Sequence, residues 1–200
     1  MTPAYHSIAV SLLTGTFTLA LVFTFICLWA ARQGRQELLK YADYGVRISA
    51  GFGFVLSLAG LLTGAFLWPA VAVLNSPLLK NKIFTVVMLV LIWGMFLALR
   101  WWKSRDVWQM GIYRVHMGLL AVTGFLANTI SNSIGGDVAG NPSGFEGLIR
   151  LLGVETRYTF YLPDWFNIGL VVAALMLLAL TFMTKPSGTR SGDPDRAGQS

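Results

Sequence analysis

The run from Ile8 to Ala30, IAVSLLTGTFTLALVFTFICLWA, is 23 residues long and contains no charged side chain. The hydrocarbon core of a bilayer is about 30 Å thick and takes roughly 20 apolar residues to cross as a helix, so this stretch alone places the chain in a membrane. It has no basic segment before it and exceeds the usual length of a secretory apolar core. Bulky and basic residues follow it instead of a small-x-small cleavage site. It therefore reads as a retained helix and not as a leader.

Four more runs follow. Val46 to Leu67 carries only Arg47, at its edge, and stops at Trp68-Pro69, where proline removes a backbone donor and disfavours helix before it. Ile83 to Leu99 is shorter and lies between Lys82 and Arg100, whose apolar stems let the charges reach the interface. Gly111 to Ser133 holds Arg114 and His116 near its start and is followed by Gly135-Gly136-Asp137. Phe166 to Met183 is the last. The expectation is an all-α integral membrane protein. Residues 1–184 form one domain, a bundle of five transmembrane helices, and the polar tail 185–200 is too poor in apolar residues to fold.

Composition agrees. Of 200 residues 55% are hydrophobic and 12% charged, more apolar surface than a water-soluble core requires. The net charge of +6 and a pI near 9.8 do not indicate nucleic acid, because the basic residues fall in separate clusters between the helices. Cys27, the single cysteine, lies within an apolar run, so the chain has no disulfide of its own.

Those clusters also set an orientation. Eleven Lys and Arg residues fall on one side of the five runs and four on the other, whereas Asp and Glu divide five to four. Basic residues resist translocation, so the richer side should be cytoplasmic and the N-terminus outside, as in a multi-pass protein of a bacterial inner membrane. Trp29, Trp68, Trp101, Trp102, Trp108, Tyr113 and Trp165 fall near helix ends, the depth that amphipathic rings favour. The long segment 134–163 then lies outside. Within it Ser143-Gly144-Phe145-Glu146 has the spacing of a capping box, and Gly153 is a stop, which describes a short amphipathic surface helix.

Two runs hold the candidate functional residues. The second contains Gly51, Gly53, Gly60 and Gly64, with Gly60 and Gly64 as a GxxxG pair where another helix can approach. The fourth holds His116, Thr123, Asn128, Ser131 and Asn132 beside Gly118 and Gly124. At about 3.6 residues per turn, Thr123, Ala127 and Ser131 share a face with His116, and that face should point inward. Gly60, Gly64 and Gly124 are candidate packing positions, and interhelical packing and hydrogen bonding account for most of these residues. The functional alternative is a polar cavity in which His116 is an axial ligand to haem or a chlorophyll-type pigment, with Met95 as second ligand by depth, or in which His116, Met95 and Asn128 contact a quinone. His6 sits at the opposite, outer end, which excludes a haem held by both histidines.

His6 at the start of the first run, Leu62-Thr63-Gly64 ending the second, Lys80-Asn81-Lys82 before the third and Gly135-Gly136 after the fourth form a pattern over roughly residues 5–140. It resembles an uncharacterised family of small bacterial inner-membrane proteins, a domain of unknown function. This chain departs from it in its long outer segment, its fifth run, and Lys where His is expected before the third. The resemblance implies the architecture and no activity.

No nucleophile and base, and no set of metal ligands, share one side of the membrane, so an independent enzyme is not expected. Two readings remain. One is a small subunit of an electron-transfer or photosynthetic membrane complex, packed in the lipid bilayer against other membrane-protein subunits. The other is an autonomous binding or transport protein acting as a homodimer, although no acidic residue falls within a run.

Overall fold

The computed structural model describes residues 3–140 together with Leu151, Ile168, Gly169, Val172 and Leu175. Six helices follow one another: α1 (Pro3–Arg32), α2 (Gln36–Leu67), α3 (Ala70–Asn75), α4 (Pro77–Lys103), α5 (Asp106–Gln109) and α6 (Gly111–Val138). Four of them, α1, α2, α4 and α6, are long and apolar enough to cross a bilayer. Of the expected fifth crossing, only Ile168, Gly169, Val172 and Leu175 are described, and all four are helical. The surface helix expected from Ser143 lies outside the described residues apart from Leu151, and the tail lies wholly outside them.

The four long helices form a ring. α1 packs on α2 and α6, and α4 packs on α2 and α6. Large apolar side chains point outward, among them Phe66, Ile48, Leu62 and Leu119, as a lipid-facing surface requires. In lipid, helices gain little by hiding apolar area from one another, and close packing holds them instead. Phe17 of α1 stacks on Trp93 of α4 with centroids 4.4 Å apart and planes within 3°, and Phe96 meets Trp93 edge-on at 5.1 Å. Glycine makes room for this layer. A Cβ on Gly53 would lie 2.6 Å from the Phe17 ring, and one on Gly124 would lie 2.7 Å from Trp93 Nε1.

Most boundaries differ from the hydropathy reading, several of them by five residues or more at an end that matters for the site. α4 is not a short helix from Ile83; it begins at Pro77, with Ser76 as a cap whose hydroxyl accepts from Leu79 N at 3.3 Å. α2 begins ten residues before Val46, at Gln36, and α6 continues through Gly135 and Gly136 to Val138. In each case polar residues extend a helix past its apolar stretch. α2 does end where Trp68-Pro69 predicted.

Candidate functional site: a cavity beside His6 and a buried ion pair

α1 and α2 are tightly joined in the half of the bundle that contains Gly45 and Gly53. Toward the His6 end they separate: a Cβ on Gly60 would meet nothing within 4 Å, and one on Gly64 only the His6 ring, at 3.4 Å. Among the described residues the GxxxG pair therefore makes no close backbone approach to another helix. It forms one wall of a cavity of about 450 Å³, closed by Val10 and Leu13 of α1, Leu79, Ile83 and Val86 of α4, Trp68, and Val73 and Leu74 of α3. That volume lies in the range of small-molecule sites, and apolar walls carrying a few polar groups are their usual lining.

The polar groups have defined roles. His6 is half-buried, and its Nδ1 lies 3.1 Å from Thr63 Oγ1. The Thr63 hydroxyl donates its only hydrogen to the backbone, to Ala59 O at 2.9 Å with Gly60 O at 3.2 Å. With that bond made, its oxygen can accept from His6 Nδ1–H, the tautomer in which neutral His6 presents Nε2 as an unprotonated acceptor. Asn132 donates from Nδ2 to Thr14 Oγ1 at 2.6 Å, and Thr14 in turn donates to Val10 O, so the free end of the Asn132 amide is its Oδ1. Lys82 does not reach outward as the sequence suggested. Its Nζ turns inward, donating to Ser131 O at 3.4 Å and lying against Gly135. Among the described residues it forms no ion pair. The cavity thus presents two acceptors, His6 Nε2 and Asn132 Oδ1, together with a lysine ammonium that has hydrogens to spare.

The expected site around His116 is not assembled. His116 is exposed on the outer surface of α6, with Nδ1 bonded to Ile112 O at 2.8 Å. The inward stripe of α6 is Met117, Ala121, Gly124, Asn128 and Ser131, a step to one side of the face anchored on His116. Asn128 lies about 18 Å along the axis from His116. It is fully buried, donates to Thr14 at 3.5 Å, and does not line the cavity. Met95 is half-buried on α4. Among the described residues His116, Met95 and Asn128 share no pocket. Among the described residues no three His, Cys, Asp or Glu side chains lie close enough to hold a metal ion.

At the opposite end the structure holds a charged centre that hydropathy concealed. Asp43 of α2 is 1% exposed and Arg100 of α4 6%. Arg100 Nε donates to Asp43 Oδ1 at 2.6 Å and Nη2 to Oδ2, a bidentate pair. Trp108 Nε1 donates to the same Oδ1 at 2.8 Å, and Arg105 Nε stands 3.9 Å from Oδ2. Trp108 was expected in the headgroup belt; it is wholly buried instead, because its indole N–H serves Asp43. Trp101, 85% exposed, keeps the belt position.

No family model, curated protein or solved structure matches this chain.

Proposed function

We propose that the chain is a membrane-embedded binding subunit that holds a quinone-type ligand in the cavity beside His6, within an electron-transfer assembly of a bacterial inner membrane. The observation that carries this reading is the pairing of a lone-pair acceptor on His6 with the Lys82 ammonium at the edge of an otherwise apolar cavity. A quinol hydroxyl donates to His6 Nε2 or Asn132 Oδ1, a quinone carbonyl accepts from Lys82, and an isoprenoid chain suits the walls formed by Val10, Ile83, Val86 and Leu89. The four segments His6, Leu62-Thr63-Gly64, Lys80-Asn81-Lys82 and Gly135-Gly136, distant in sequence, each bring a residue to this cavity or to Lys82. The basic bias assigns the His6 end to the outside and the Arg32 end to the cytoplasm, so the ligand enters from the outer leaflet.

Trp68 lines the cavity and reports on its occupant. Titrating the protein in nanodiscs with a short-chain quinone should give saturable tryptophan quenching, with a component lost in Trp68→Phe. His6→Ala and Lys82→Met should weaken it at least tenfold while circular dichroism stays unchanged. Quenching that rises linearly with quinone and is equal in all four proteins is mere partitioning, and it would refute the proposal.

A further inference from the structure

A second concavity lies at the other end of the bundle, on the seam between α1 and α6, and has no part in the reading above. Phe25, Leu28, Val115, Leu119 and Val122 form an apolar groove of about 710 Å³, with Trp29 beside them and Arg32 and Arg114 at its polar end. Gly118 keeps it open: the nearest atom to a Cβ there would be Leu28 Cδ1, at 3.3 Å. From Arg114 to Val122 the groove runs about 12 Å along the axis. In a bilayer such a groove is filled by acyl chains, and its charges decide which headgroup comes with them.

Those charges are of one sign. Arg32 is exposed, Arg114 half-buried, and neither forms an ion pair among the described residues. The nearby carboxylate of Asp43 is engaged by Arg100 and Trp108. Among the described residues no acidic side chain lines the groove. Guanidinium groups match phosphate oxygens in a planar, two-point fashion, and a zwitterionic headgroup would bring its ammonium toward the same two cations. We propose that the α1–α6 groove is a binding site for an anionic phospholipid, its phosphate between Arg32 and Arg114 and an acyl chain against Phe25, Leu28 and Val122.

Trp29 lies in the groove, so brominated lipids read its occupancy. The full chain reconstituted in phosphatidylcholine vesicles is titrated with brominated phosphatidylglycerol or brominated phosphatidylcholine. Brominated phosphatidylglycerol should quench with a roughly thirtyfold preference, as two basic residues at a membrane surface imply. Trp29→Phe should remove the preferential component. Arg32→Gln/Arg114→Gln should bring the preference to about one, and Arg32→Lys/Arg114→Lys, which keeps the charges but loses the two-point geometry, should retain only part of it. Equal quenching by both lipids, or a preference that survives the double Gln variant, overturns the proposal. So does a Trp29 quenched by neither lipid, which would show the groove covered by protein.

Discussion

Asp43→Asn is the substitution whose effect follows most directly from the geometry. The amide keeps the size of the carboxylate and one acceptor oxygen, so Trp108 can still donate, but Arg100 is left with its charge inside the bundle. Removing one partner of a buried pair costs about 3–5 kcal/mol, because the remaining ion keeps its desolvation penalty and loses its compensation. At about 1.4 kcal/mol per factor of ten, a loss near 4 kcal/mol shifts the folding equilibrium by roughly a thousandfold. Reversible unfolding of the detergent-solubilised protein in SDS, followed by circular dichroism, measures it. Trp108→Phe leaves the ion pair whole and removes one charge-assisted hydrogen bond, so it should cost less, about 1.5–3 kcal/mol. The double variant Asp43→Leu/Arg100→Met removes both charges and should recover most of the single-variant loss, since apolar replacements of buried pairs are often neutral. A cost below about 1 kcal/mol for Asp43→Asn, the range of solvated pairs, refutes the reasoning.

Two further outcomes are expected. Gly53→Ala and Gly124→Ala each force a methyl into the Phe17–Trp93 layer and should cost about 1–3 kcal/mol in the same unfolding assay, whereas Gly60→Ala, which meets open space, should be neutral or stabilising by up to about 1 kcal/mol. Thr14→Val removes the acceptor that Asn132 and Asn128 share and should cost about 0.5–1.5 kcal/mol; Thr18→Val, whose hydroxyl bonds only its own helix on an exposed face, should change stability by less than about 0.5 kcal/mol.

The four described crossings were legible in the sequence because a bilayer imposes a length of apolar chain that few other settings tolerate. Helix ends were less so. Hydropathy treats charge as a boundary, whereas Lys82, Asp43 and Arg100 lie within helices and find partners on neighbouring ones. The Ser76-Pro77 capping signal was readable and marks the true start of α4. Periodicity grouped residues with His116, but it says which residues share a face and not which way that face turns. The spacing of Met117, Ala121, Gly124, Asn128 and Ser131, alternating four and three, was the better guide to the interior. The cavity joins residues 6, 64, 82 and 132; the pattern of His6, Leu62-Thr63-Gly64 and Lys80-Asn81-Lys82 contains three of these, but periodicity within one helix does not say that they meet.

The Phe17 ring stacked on Trp93, with Phe96 edge-on beside it, lies between the cavity and the Asp43–Arg100 pair. Their consequence is electrical. A layer of low dielectric constant is where most of a transmembrane voltage drops, while a cavity reaching one surface stays near that surface's potential. A charge crossing the whole field gains about 2.3 kcal/mol per 100 mV. An anion settling beside Lys82 crosses little of it, so occupancy of the cavity should hardly change when the membrane is energised.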